Sequence, residues 1–381
     1  MKNAALVAHV RQLCCLGLGG RAIMPALINA VRELVAFDSA EFAWVDARGE
    51  MTNLYAEPLL PPDVMHFYFH RGDATDHPVA LTFRLRAALA DPVTTFSVTD
   101  SMRHTEIYSH VLRHLGAEHV LYCVIRDRGQ PLGQLSLYRG AHRQAFCAVD
   151  RGAISSVAGY IAHGLGDSLA NGRYASADQS YRDTEQQAML TLERDGRLRH
   201  CSSAARRMLL FVTLDSVNRG TVIQQDATIH SLTRELAEQL VAHARDGDEP
   251  GGRPPGMVVT NRWGRFVLRA YWLTDDPHAP DALIGVQLRR QEPTVLRLSQ
   301  AMRRLALSPQ QKEVGLLLAQ GKSNPEIAGA LGVSLNTANY HVKQLFSKLN
   351  AHERSEVAPK LLGIGDDTLR HRSAQRVVSG G

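Results

Sequence analysis

LSPQQKEVGLLLAQGKSNPEIAGALGVSLNTANYHVKQLFSKLNAHERSEV, residues 307–357, sets out helix starts and stops in close succession. Ser308 followed by Pro309 reads as an N-cap with proline at the first helical position, where the missing N–H costs nothing. Gln311 stands where a capping box needs it. Gly321 ends that helix, and Ser323-Asn324-Pro325-Glu326 supplies a second capping box. The short helix it opens carries Ile327, Ala328 and Leu331 on one apolar face. Gly332 can end it in a left-handed turn, and Ser334 caps a third helix.

The third helix, 335–349, has two faces. Ala338, Val342, Leu345, Phe346 and Leu349 recur at helical spacing and should pack inward. Thr337, Asn339, Tyr340, Lys343, Ser347 and Lys348 look outward. Helix, glycine turn, helix is the helix-turn-helix arrangement, and the outward face suits a DNA major groove. Amides and ammonium groups can bond base edges, while hydroxyls and lysines suit phosphates. A solvated helix in a bundle would show the same two faces, so the pattern alone leaves both open.

The segment resembles the LuxR/NarL/GerE type of helix-turn-helix, a four-helix DNA-binding domain. The resemblance rests on Leu307, Pro309, Glu313, Val314, the run Gly321-x-Ser323-Asn324-x-Glu326-Ile327-Ala328, Leu331-Gly332, Ser334, Thr337, His341-Val342, Lys348-Leu349 and Arg354-Ser355-Glu356. It implies that Asn339, Tyr340 and Lys343 lie toward bases, and Lys322, Asn324, Thr337, His341 and Lys348 toward phosphates. Gln310 and Gln311 stand where the family often carries charge, and Ala338 replaces a more usual Val.

The whole chain has 381 residues, room for two or three domains, and a mild net charge of +5. Lys312, Lys322, Lys343, Lys348, Arg354 and Lys360 gather in the last domain, so the basic footprint falls on the helix-turn-helix. Five cysteines without paired spacing argue for a reducing cytoplasm, and no apolar run suggests a membrane span. HExxH, GxSxG, SxxK and the Walker GxxxxGK[ST] are all missing, and no acidic receiver-type pattern is visible. A non-enzymatic protein without cofactor or metal is expected.

Residues 1–170 read as an α+β domain: two opening helices, a hairpin at 40–46 and 51–55, an irregular stretch at 57–109, strands at 119–125 and 131–138, and a closing helix at 149–165. Gly133 to Arg139, followed by Phe146 and Asp150-Arg151, resembles a GAF domain. In the irregular stretch Asp63, His66, His70, Asp73, Asp76 and His77 crowd together, a set more often solvated than metal-binding. Tyr55, Phe67, Phe69, Phe83 and Tyr108 are candidates to line a small-molecule pocket or simply the core. A polar linker at 171–186 leads to 187–291, where a hairpin turning at Asp195-Gly196, middle helices and three closing strands resemble a PAS domain.

A linker helix at 292–306 precedes the helix-turn-helix domain at 307–364 and a tail at 365–381 expected to be disordered. Val295, Leu298, Met302 and Leu305 suit either a short two-stranded coiled coil or a helix packed within the monomer. The expected partners are double-stranded DNA, a second copy in a homodimer, RNA polymerase and an unknown small-molecule effector. The competing expectations are a ligand- or protein-binding sensor that uses the helix-turn-helix to dimerise and, behind it, an enzyme of signalling molecules, for which no carboxylate pair or metal cluster is found.

Overall fold

The protein is described here by a computed structural model covering residues 2–46, 49, 51–60, 64, 90–170, 180–213, 225–245, 255–274, 276, 277, 279 and 281–362. Its contacts divide the chain into two units, Met1–Glu292 and Pro293–Gly381.

In the first unit, apolar residues at helical spacing give α1 (Lys2–Cys14) and α2 (Gly20–Leu34), which pack on each other. The period then drops to two. β1 (Ser39–Val45) and β2 (Met51–Glu57) form the expected hairpin, with Phe42 opposite Tyr55. β3 (Val93–Ser97), a short α3 (Asp100–Arg103) and a π-helical turn at Tyr108–Leu112 follow. β4 (His119–Asp127), β5 (Gln130–Arg139) and the long α4 (Ala148–Ala170) complete this part.

The strands form one antiparallel sheet in the order β2-β1-β5-β4-β3. α4 lies against β4 and against both opening helices, burying Leu13, Ile28, Ile154, Val157 and Ile161. Gly164 permits that approach, because a Cβ there would sit 3.0 Å from Cys14 Cα. Arg139 and Asp150, two residues of the GAF-like ending, pair at 3.1 Å and tie β5 to the start of α4.

β6 (Tyr181–Leu192) and β7 (Leu198–Cys201) open a second sheet. α5 (Ser203–Thr213) and α6 (Gln225–Arg245) come next, then β8 (Gly256–Asn261), β9 (Gly264–Trp272) and β10 (Ile284–Pro293). The strand order is β7-β6-β10-β9-β8. Counted from its own first strand, each sheet therefore has the same order. The hairpin turns at Gly196, whose φ of 85° is left-handed and whose Cβ would sit 2.4 Å from Arg234 Cα on α6.

The two sheets share an aromatic junction. Trp44 and Tyr55 from the first meet Phe211 of α5 and Trp263 of the β8–β9 turn beside the second, with Phe211 and Trp263 stacked at 4.7 Å and Tyr55 and Phe211 at 6.0 Å. Beneath the rings Arg290 is 1% exposed. It donates to the Trp263 carbonyl at 2.8 Å, to Gln186 at 3.3 Å and to Glu292 at 3.2 Å.

Two sequence expectations for this unit need correction. The stretch read as irregular, 57–109, contains β3 and α3; β3 is a short edge strand paired only to β4, so it carries little apolar alternation. The stretch read as linker, 171–186, is already strand from Tyr181. Its side chains there are mostly exposed, and it is held by backbone pairing to β10 and by Thr184 Oγ1 donating to the Arg290 carbonyl at 2.9 Å.

The second unit is helical: α7 (Thr294–Ala301), α8 (Pro309–Ala319), α9 (Asn324–Leu331), α10 (Leu335–Leu349) and α11 (Val357–Leu361). α8 packs on α10 and α11, and α9 on α10, around Val314, Leu318, Ile327, Ala338, Leu345, Val357 and Leu361. The linker helix at 292–306 is shorter than expected. It ends at Ala301 and passes into a 3-10 turn, Met302–Arg304, with Leu298 and Met302 fully buried. A Cβ on Gly315 of α8 would lie 3.1 Å from Met302 Sδ. Packing within the monomer is thus the alternative that the structure shows for this run. The tail at 365–381 lies outside the described residues.

Candidate DNA-binding surface

The local chemistry read from residues 307–357 sets the geometry of α8, α9 and α10. Ser308 Oγ accepts from Gln311 N at 3.2 Å while Gln311 Oε1 accepts from Ser308 N at 2.9 Å, a complete capping box. The second box repeats it. Glu326 Oε2 accepts from both Ser323 N and Ser323 Oγ at 2.8 Å, and Lys322 adds an ion pair at 3.2 Å. The bond from the Ser323 amide, then the Ser323 hydroxyl and Lys322, hold the Glu326 carboxyl down to about 2. Gly332 closes α9 at φ 64°, ψ 33°, and Ser334 Oγ accepts from Thr337 N at 3.1 Å to start α10. Asn350, also left-handed at φ 50°, ends it.

Those caps fix the faces of α10. Ala338, Val342 and Leu345 are buried, whereas Asn339, Tyr340 and Lys343 are exposed. Tyr340 is 60% exposed and leans on the His341 ring at 5.5 Å. Its ring and hydroxyl therefore stand exposed in the middle of a polar helix face. Thr337 is half-buried, and its hydroxyl lies 2.8 Å from Ser334 Oγ, so it serves the cap. Lys322 is exposed beside Glu326. The Lys348 ammonium is engaged within the domain, donating to the Ala306 carbonyl at 2.8 Å and to Gln311 Oε1 at 2.9 Å.

Asn324, at the first turn of α9, reaches α10. Its Nδ2 donates to Asn339 Oδ1 at 2.7 Å, and its Oδ1 accepts from Arg354 Nη2 at 2.6 Å. Arg354 Nη1 donates to the Lys322 carbonyl. The role of Arg354 was not visible in the sequence, where it stands far from Asn324 and Asn339.

Of the candidate pocket residues, the two that are described, Tyr55 and Tyr108, are not brought together. Tyr55 is buried in the aromatic junction, and burial, then Glu57, push its hydroxyl pKa up. Tyr108 packs on the cluster that contains Leu54 and Ala56, the neighbours of Tyr55 along β2, and so lies on the opposite face of the sheet. Phe67, Phe69 and Phe83 lie outside the described residues, as do Asp63, His66, His70, Asp73, Asp76 and His77. A cavity of about 380 Å³ does open on the second sheet, lined by Tyr181, Asp183, Arg265, Arg269, Arg289 and neighbours, and neither Tyr55 nor Tyr108 borders it.

Comparison with known proteins bears on the helical unit. Residues 305–360 match the family of bacterial regulatory proteins, luxR family. Over 60 residues the chain is 38% identical to a protein of Sinorhizobium fredii (strain NBRC 101917 / NGR234) that carries the name HTH-type transcriptional regulator y4qH. That match spans 16% of this chain and 18% of the relative. The sensor region of a sensor histidine kinase aligns over 61% of this chain and 98% of its own at 12% identity, with a TM-score of 0.18 that carries no argument. The C-terminal segment is a LuxR-family helix-turn-helix domain, and it follows two antiparallel sheets. Among the described residues no helix is long and apolar enough to cross a membrane.

Proposed function

We propose that this chain is a cytoplasmic, sequence-specific DNA-binding transcription regulator. Its α10 enters the major groove, with Asn339, Tyr340 and Lys343 at base edges and Lys322 and His341 near phosphates. The observation that carries this reading is the outward face of α10, where an amide, an exposed Tyr340 and an ammonium stand side by side on a helix held by caps at both ends. Asn324, Thr337 and Lys348 support that helix through the bonds described above and reach phosphates only with what capacity remains to them.

The two sheets are read as GAF-like and PAS-like sensor domains that take up an unknown small-molecule effector and control dimerisation or DNA binding. The pattern of hairpin, helices and closing strands from β6 to β10 supports the second assignment, and the same strand order in the first sheet supports a common plan. A homodimer would place two copies of α10 on half-sites about one helical turn apart. RNA polymerase is a further partner of a regulator of this kind.

Lys343→Ala tests the role given to α10. It should weaken binding to a selected duplex by about tenfold, with much less effect on random duplex, because a base-edge contact carries sequence choice. Equal loss on both, measured by fluorescence anisotropy across a salt series, would make Lys343 a phosphate contact.

A further inference from the structure

We infer that Arg354 and Asn324 set the hydrogen-bond polarity with which Asn339 meets DNA, so that Asn339 reads a base as a donor. The inference rests on the proposed placement of α10 in the major groove and goes beyond it by assigning two positioning residues and the chemistry of the base chosen.

The argument follows from which groups can donate and which can accept. A guanidinium has only donors. Arg354 Nη2 stands 2.6 Å from Asn324, so the atom of the Asn324 amide that faces it must be the oxygen. The nitrogen of that amide must then face the other way, and there it meets Asn339 at 2.7 Å. Asn339 must answer with its own oxygen. Its remaining NH2 group has no partner among the described residues, and the side chain is exposed on the outer face of α10. An isolated asparagine can turn its amide over to suit either a donor or an acceptor, but this one is held in one sense by a chain of bonds that begins at a group unable to accept.

Arg354 is itself anchored. Its second nitrogen donates to the Lys322 carbonyl, just before the capping box of α9, so the turn ahead of α9 and the turn ahead of α11 are fastened together. In the major groove, guanine offers only acceptors, N7 and O6, and thymine offers O4, whereas cytosine offers only the N4 donor. Adenine carries both the N7 acceptor and the N6 donor, so an Asn339 that presents NH2 can bond guanine, thymine or adenine at its position and rejects only cytosine.

Asn324→Asp reverses the chain. The carboxylate still accepts from Arg354, but it can only accept from Asn339 too, which brings the Asn339 NH2 inward and turns its carbonyl oxygen to the groove. The substitution places an acidic group in the first turn of α9, where the helix dipole favours it, so the domain keeps its fold. The experiment is selection of bound duplexes from a random pool by the full chain, run for the wild type, Asn339→Ala and Asn324→Asp. Asn339→Ala identifies the position that depends on Asn339 by loss of roughly tenfold discrimination there. At that position Asn324→Asp should admit cytosine, which the wild type rejects, and disfavour guanine and thymine, with adenine tolerated by both, beside a weaker, uniform loss of affinity from its added charge. An unchanged preference with uniform loss overturns the inference, as does a wild-type site in which no position responds to Asn339→Ala; both leave the DNA-binding reading standing. Failure of the folded wild type to select any duplex removes that reading and the inference with it.

Discussion

Glu292→Gln tests the buried ion pair beside the aromatic junction. Glu292 is 6% exposed and its oxygen lies 3.2 Å from Arg290 Nη1, while Arg290 is 1% exposed. Burial lowers the affinity of Arg290 for its proton and Glu292 opposes that effect, with Tyr55 contributing after it. Removing the carboxylate charge leaves a guanidinium buried without its counter-ion, a change that typically costs about 3–5 kcal/mol. Arg290 keeps its bonds to the Trp263 carbonyl and to Gln186, which places the expected loss at the low end, about 3 kcal/mol.

The assay is urea denaturation followed by tryptophan fluorescence. Trp44 and Trp263 sit in the junction above Arg290, and the chain has only 3 tryptophans. A double substitution, Arg290→Met with Glu292→Leu, removes both charges and should return the stability to within about 1 kcal/mol of the wild type, as apolar replacement of a buried pair often does. A single Glu292→Gln change that leaves the fluorescence transition in place would refute the argument. So would a double variant as unstable as the single one.

Three further outcomes concern the helical unit. The folded-state pKa of Glu326 is lowered from 4.5 to about 2, so its contribution to the α9 cap is fully present above pH 4.5 and is lost as pH falls toward 2; the exchange protection of the Ser323 amide, which donates to that carboxylate, should fall across that window and not above it. Gly332→Ala should cost about 1–2 kcal/mol in thermal unfolding, because φ is 64° and a Cβ meets no atom within 4 Å, leaving conformation as the whole penalty; a cost near zero would contradict the left-handed turn. Lys348→Met should lower the stability of the unit while reducing affinity equally on all duplexes, since its ammonium ties the end of α10 to Ala306 and Gln311; loss of affinity at unchanged stability would return Lys348 to the phosphate contacts.

Cap chemistry is local, and for that reason the helical unit was legible. Ser308 with Gln311, Ser323 with Glu326 and Ser334 with Thr337 are each three residues apart, so the sequence itself places donor beside acceptor. Gly332 was legible for the same reason. Arg354 was not: its partner Asn324 is 30 residues away, and only the packing of α11 and α9 around the same core brings them together. The aromatic junction failed the same way, because Tyr55 lies on β2 and Phe211 on the helix α5, and each reads as an ordinary core residue of its own element.

Strand periodicity located both sheets, with their hairpins at β1–β2 and β6–β7, but it lost strands whose side chains are not buried. Residues 181–186 show no apolar alternation since their outer positions face solvent, and β3 has a partner on one side only. Alternation does separate Tyr55 from Tyr108 once Tyr108 is known to pack with Leu54 and Ala56. That last fact is tertiary. A pocket drawn from aromatic residues in sequence order could not anticipate it.

The most direct test of the central claim is selection of bound fragments from random duplex DNA by the full-length protein, with and without a small-molecule extract of cytoplasm. The account predicts an enriched inverted repeat with half-sites about one helical turn apart, and a change in its recovery when the extract is present. A folded protein that enriches no sequence under either condition would contradict it and leave the helix-turn-helix as a surface for pairing protein chains.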